Sequence, residues 1–190
     1  MKALEVKILK EGKILPGEIV MVGSFLNQQI DSAFCMEMGK EVARLFADRP
    51  ITKVLTIEAS GIALALAASY AIGVPMVFAK KSKSANVDGA VWSAPVHSYT
   101  HNVDYEAVLK REYISADDSV LLVDDFLASG EAFNGMRILC EKAGAHVVGA
   151  AAAIEKRHQG GRQRLEDAGL RVESLAAIES MTDDSIVFAD

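Results

Sequence analysis

The stretch Val120-Leu121-Leu122-Val123-Asp124-Asp125-Phe126-Leu127-Ala128-Ser129-Gly130-Glu131-Ala132 decides the fold. Four consecutive aliphatics read as a strand buried on both faces, which a sheet covered on both sides requires. Two carboxylates follow at its carboxyl end, the edge where open α/β sheets bind ligands. Ala128-Ser129-Gly130 makes a short loop of small residues, and Glu131 opens a helix predicted to run to Lys142, with Gly144 closing it. Unpaired backbone N–H groups at such a helix start attract anions. A single aspartate there is an ordinary turn cap, whereas two against a Ser-Gly helix entrance point to a ligand site.

The same grammar extends outward in both directions. Asp31 to Phe46 sets Phe34, Met38, Val42 and Leu45 on one helical stripe, and Asp48-Arg49-Pro50 stops that helix. Lys53 to Ile57 reads as a short buried strand, with Glu58-Ala59-Ser60-Gly61 as its turn. Ile62 to Ala71 is a helix of small residues, closed by Gly73 and followed by Pro75. Val74 to Ala79 and His146 to Ile154 are two more strands. Strand and helix alternate, so the expected architecture is α/β: a parallel sheet with helices on both faces.

Two regions break the alternation. The first 28 residues contain Pro16-Gly17 and Gly23 and little helical period, and are expected to form a small appended lobe. Residues 80 to 115 are a polar excursion that opens on three nearby lysines, Lys80, Lys81 and Lys83, and holds Gly89, Trp92 and Pro95. An excursion of that length in a compact domain is usually functional or disordered. The β character of Val91 to Tyr99 predicts a hairpin within it.

Composition bounds the function. With 190 residues, 51% of them hydrophobic and 24% charged, the chain is expected to be one domain with a sizeable core. About 70% of the unfolded surface can be buried at this length. The net charge of -6 opposes non-specific binding to nucleic acid or to an anionic membrane, but leaves room for a small anion held locally. The longest apolar runs fall well short of the roughly 20 residues that span a bilayer. The amino-terminal segment has no signal-like apolar core, so a cytoplasmic setting is expected. Cys35 and Cys140 read as two reduced, buried thiols. His97 and His101 lack a third metal ligand.

On these motifs the chain resembles the type I phosphoribosyltransferases. The resemblance implies that Asp124 and Asp125 hold the ribose hydroxyls of phosphoribosyl pyrophosphate (PRPP). It implies that the amides of Ala128, Ser129, Gly130, Glu131 and Ala132 cradle the 5′-phosphate. Glu58, Ala59, Ser60 and Gly61 correspond to the family's pyrophosphate loop, with Lys80 and Lys81 as cationic partners. Residues from about 82 to 111 correspond to its flexible loop, and a small hood would come from about 1–28 and 155–190. Mg²⁺ would ride on the ligand's own phosphate oxygens, with no direct protein ligands. A homodimer is also implied.

Ser24-Phe25-Leu26-Asn27-Gln28-Gln29-Ile30-Asp31, Ile154-Glu155-Lys156 and Arg171-Val172-Glu173-Ser174-Leu175 resemble the xanthine-using branch of that family. Its base contacts carry over to Val20, Asn27 and Lys156, with Phe126 beside the base plane. Asn27 can donate and accept, which suits a lactam edge. The Lys156 ammonium only donates, favouring a carbonyl or a partial anion over an exocyclic amine. The implied reaction joins xanthine and PRPP to give xanthosine 5′-monophosphate and diphosphate. Guanine, hypoxanthine or adenine as acceptor stays open, as does a non-catalytic sensor of PRPP. For the sensor, the roughly 28 residues before the first core helix are too few for a winged-helix DNA-binding domain. Hypoxanthine–guanine enzymes place an aspartate where Ala128 stands, so no general base is assigned here; Asp104 and Glu106 are the nearby candidates in the loop.

Overall fold

A computed structural model describes residues 1–82, 90–98 and 103–189. Parts of the expected flexible loop, together with Tyr99 and His101, lie outside the described residues.

The chain begins with α1 (Lys2–Glu11), a short hairpin of β1 (Lys13–Leu15) and β2 (Ile19–Met21), and a π-helical turn over Gly23–Asn27. Then come α2 (Ser32–Leu45), β3 (Lys53–Ile57), α3 (Ile62–Ile72) and β4 (Met76–Ala79). A second hairpin, β5 (Val91–Ser98) and β6 (Val103–Lys110), precedes β7 (Ser119–Leu127), α4 (Glu131–Ala143) and β8 (His146–Lys156). The chain continues through α5 (Gly161–Asp167), β9 (Val172–Met181) and β10 (Ile186–Phe188). The central sheet runs β10-β9-β8-β7-β3-β4. Its pairs are parallel except β10, which lies antiparallel on β9 and makes the sheet mixed.

Side chains along β7 alternate between two core layers, as the pleat dictates. Leu121 and Val123 pack with Leu4, Ile8, Met38, Val42 and Leu64, so α1, α2 and α3 cover that face. Val120 and Leu122 pack with Phe133, Met136, Leu139 and Leu165, so α4 and α5 cover the other. Cys35 and Cys140 are free and buried, one in each layer.

Three sequence expectations change. The start of the chain forms a true helix: Leu4 and Ile8, four apart, are fully buried against the central sheet's first layer. Burying each contributes about 1.5–3 kcal/mol, which outweighs the weak overall period of a ten-residue helix. The β1–β2 hairpin and the π-helical turn add Val20, Phe25 and Leu26 to the same layer. Residues 172–188, expected in a hood, instead supply β9 and β10 to the central sheet. Much of the expected flexible loop is the β5–β6 hairpin, whose Ala94, Val96, Ala107 and Leu109 are buried with α4. Its inward side chains are interspersed with polar residues such as Ser93, Asp104 and Glu106, so its mean polarity conceals a half-buried ribbon. Trp92 belongs to that packing, stacked 4.0 Å from the Arg111 guanidinium.

Candidate active site

β7 is longer than its aliphatic run: it continues through Asp124, Asp125, Phe126 and Leu127. Asp124 and Asp125 are therefore strand residues held at 7% and 6% exposure rather than loop residues in open solvent. Each carboxylate first satisfies a local backbone donor. Asp124 Oδ1 accepts from the Asp125 amide at 2.9 Å, and Asp125 Oδ1 accepts from the Phe126 amide at 3.1 Å.

Consecutive strand residues leave on opposite faces, and the two aspartates keep different company accordingly. Asp125 accepts from Ser60 Oγ at 3.0 Å and from Asn27 Nδ2 at 3.1 Å. One carboxylate thus joins the turn after β3 to the π-helical turn near the amino terminus. Asp124 lines a cavity of about 180 Å³ with Glu58, Ser60, Lys81, Phe126 and the loop entering α4. Burial, together with the Asp125 charge beside it, raises the Asp124 carboxyl well above the usual range, while Lys81 pulls it back down. A buried pair of like charges is relieved when one carboxyl holds a proton, or by a cationic or hydroxyl-donating ligand.

The turn after β3 fits tightly against these carboxylates. A methyl group at Gly61 would collide with Thr56 Oγ1 and Asp124 Oδ1, so the absent side chain is what admits the carboxylate. Thr56 Oγ1 is buried and has no hydrogen-bond partner among the described residues. The Glu58–Ala59 peptide is cis, and Glu58 Oε1 accepts from the Lys81 amide at 2.8 Å. Ala59 is exposed at the tip of the turn.

Ala128, Ser129, Gly130, Glu131 and Ala132 all line the cavity, with Glu131 opening α4. Gly130 sits at φ 83°, a left-handed conformation that suits glycine and turns the chain sharply into the helix. The two adjacent lysines part company. Lys81 lines the cavity, whereas Lys80 bridges to Val108 through its backbone and lines a separate groove with Phe78 and Tyr113.

The residues assigned to a base gather on the Asp125 side. Lys156 Nζ lies 5.9 Å from the Phe126 ring centroid, and burial lowers its pKa against the opposing pull of Glu18. It donates to the Glu18 carbonyl at 2.8 Å, while the Glu18 carboxylate pairs with His158 at 3.0 Å. Val20 is buried in the first core layer two residues away, so its backbone is the part that could face a ligand. Asn27 is half-buried and tied to Asp125.

The arrangement is a strand-end carboxylate pair between a glycine-turned helix entrance and a polar, lysine-bearing pocket. A model of the phosphoribosyl transferase domain matches residues 24–179. The chain is 49% identical to the xanthine phosphoribosyltransferase of Brevibacillus brevis, over 100% of this chain and 97% of that protein. It is 48% identical to xanthine phosphoribosyltransferase 1 of Clostridium perfringens, over 99% of this chain and 100% of that one. The chain belongs to the xanthine phosphoribosyltransferase family. The fold is shared more widely: the adenine phosphoribosyltransferase of Giardia lamblia, solved with 9-deazaadenine, superposes with a TM-score of 0.79 at 23% identity. That match covers 92% of this chain and 98% of the other.

For a xanthine phosphoribosyltransferase family member, the cavity also holds side chains that sequence reasoning left out. Tyr105 and His97 reach it from the β5–β6 hairpin. Burial, helped by the Asp124 charge, pushes the Tyr105 phenol up to about 12, so it stays a neutral donor. The Lys81 ammonium stands 5.4 Å from its ring centroid. His97 Nδ1 lies 2.7 Å from Asp104 Oδ1. The period-two pattern Val103-Asp104-Tyr105-Glu106-Ala107 carried the signal for Tyr105, since it shares a face with buried Ala107. Glu106 is exposed.

Proposed function

We propose that the chain is a purine-salvage enzyme that transfers the 5-phosphoribosyl group of PRPP to N9 of xanthine. The products are xanthosine 5′-monophosphate and diphosphate. The carrying observation is the clasp on Asp125, where Ser60 and Asn27 meet one carboxylate beside Phe126 and Lys156. It joins the segment proposed for diphosphate to the segment proposed for the base at the site proposed for ribose.

In this reading the amides of residues 128–132 hold the 5′-phosphate, using the helix entrance as the charge complement. Asp124 and Asp125 accept from the ribose hydroxyls and favour the positive charge that develops on the sugar as the bond to diphosphate breaks. Lys81 and the turn 58–61 face the departing diphosphate. Lys80, on its separate groove, is left out of that role within this chain. Asn27 and Lys156 read the two carbonyl-bearing edges of the base, and the Phe126 ring flanks its plane. The Lys156 ammonium also favours a base that enters as its anion, which needs no carboxylate at Ala128 to take a proton.

A magnesium ion fits this site as a companion of the diphosphate. The cavity supplies hard carboxylate oxygens at Asp124 and Glu58, which suit Mg²⁺ with its retained waters and phosphate ligands. When bound it neutralises charge on the leaving group. In this reading the ion rides mainly on the ligand's own phosphate oxygens. We further propose a homodimer working in the cytoplasm. No helix among the described residues is long and apolar enough to cross a membrane.

Diphosphate release with Mg²⁺, PRPP and each of xanthine, guanine, hypoxanthine and adenine tests the reading. Xanthine is expected to give the highest kcat/KM. Faster release with another base overturns the acceptor assignment, and release with none overturns catalysis.

A further inference from the structure

The glycine pair after the base-reading strand has no role in the site as described so far. Gly160 turns the chain at φ 76°, and Gly161 begins α5 directly behind the loop proposed for the 5′-phosphate. The Gly161 amide donates to the Ala128 carbonyl at 3.0 Å. A methyl group at Gly161 would collide with that carbonyl oxygen and stand 2.7 Å from the Gly130 nitrogen. Gly130 is one of the amides assigned to phosphate. Three residues on, Arg164 pairs with Glu131, the first residue of α4. The short helix therefore grips the phosphate loop at both ends, by a backbone bond at Ala128 and an ion pair at Glu131.

The next side chain grips the other subsite. Arg162 holds Glu155 with two bonds, Nε to Oε1 at 2.8 Å and Nη2 to Oε2 at 2.6 Å. Glu155 is fully buried, immediately before Lys156, and also accepts from Ser174 Oγ. Burial acts to raise the Glu155 carboxyl, but the Arg162 and Ser174 bonds outweigh it and keep the group low. Arg162 Nη1 donates in addition to the Val172 carbonyl at 2.9 Å and to Glu166 at 3.1 Å. Such a planar, bidentate pair fixes direction as well as distance, which a lysine in its place cannot do. Within the sheet, Glu155 stands opposite Leu127, the last residue before the phosphate loop.

We infer that Gly161, Arg162 and Arg164 form a positioning bracket that sets the 5′-phosphate loop and the base-reading Lys156 relative to one another. This rests on the site assignments proposed above. None of the three is a catalytic residue: they act through Ala128, Gly130 and Glu131 on one side and through Glu155 on the other. An error of about 1 Å in positioning can cost about 10²-fold in rate, so the bracket matters without touching substrate.

The test is steady-state kinetics, varying each substrate separately, on the intact protein. Gly161→Ala is expected to raise the KM for PRPP about tenfold while moving the KM for xanthine less than about twofold. Arg162→Met is expected to raise the KM for xanthine, with Arg162→Lys recovering little because one bond of the pair is lost. In a cycle with Lys156→Ala, the Arg162→Met effect on xanthine should vanish, since its route runs through that lysine. Arg164→Ala removes a surface pair and keeps the test available if a core variant fails to fold. It should raise the KM for PRPP by about two- to threefold with the thermal midpoint unchanged. Equal rises in both KM values, or full additivity of Arg162→Met with Lys156→Ala, overturns the bracket. Kinetics left unchanged by Lys156→Ala itself overturns the site assignment instead, and the two failures are told apart by that variant.

Discussion

The two halves of the site are built in opposite ways. The side proposed for phosphate comes from one unbroken stretch, residues 124–132, where a strand ends, a loop turns at Gly130 and a helix starts. The side proposed for the base is gathered from a π-helical turn at Gly23–Asn27, the end of β8 and the β1–β2 hairpin, which Asp125, Phe126 and Glu18 link. A contiguous motif is held by local geometry, so single changes in it strike the chemistry. An assembled pocket is held by tertiary contacts, so changes in it strike recognition of one substrate and leave the other alone.

The hardest test of this contrast is Asp125→Asn, because that carboxylate belongs to both halves. Turnover should fall by about 10²–10³-fold, with the far-ultraviolet circular dichroism unchanged. Activity close to that of the unaltered protein would remove Asp125 from the site. Lys156→Ala comes next: the KM for xanthine should rise by about 10- to 100-fold, while that for PRPP moves by less than about twofold. Losing both substrates alike would make the pocket one indivisible unit and dissolve the contrast.

The smallest effect concerns Asp124 and stability. Its carboxyl is raised in the folded protein by burial and by Asp125. Stability from its neutral form is therefore complete at low pH and is lost as pH rises through the raised value. Asp124→Asn keeps an acceptor for the Asp125 amide and cannot ionise. Its thermal midpoint should exceed that of the unaltered protein least in acid below the ordinary carboxylate range, and the gap should widen as pH rises, to about 2–4 °C where Asp124 is ionised. A midpoint difference that stays constant with pH would mean that the carboxyl is not strained by burial.

Legibility followed the same division. Aliphatic runs and helix signals located β3, β7, β8, α2, α3 and α4 to within a few residues, since each follows from local period and end signals. The carboxylate pair and the helix entrance were readable for the same reason. The β5–β6 hairpin was not recognised as core, because Ala94, Val96, Ala107 and Leu109 are set among Ser93, His97, Glu106 and Lys110 and their partner face includes α4. The opening helix was missed because only Leu4 and Ile8 of its ten residues are buried. Lys80 and Lys81 look equivalent in sequence, yet adjacent residues on an extended backbone point apart, and only Lys81 reaches the cavity.

By itself, then, the sequence determined a doubly covered α/β sheet, the strand that carries Asp124 and Asp125, and the loop that follows it. Those depend on interactions between residues close along the chain. Tertiary structure alone decided that Asn27 and Ser60 would share Asp125, that Tyr105 and His97 would enter the cavity, and that Arg162 would brace Glu155. The first of these contacts joins residues 98 apart, and no local period or cap can specify which two side chains will meet across that distance.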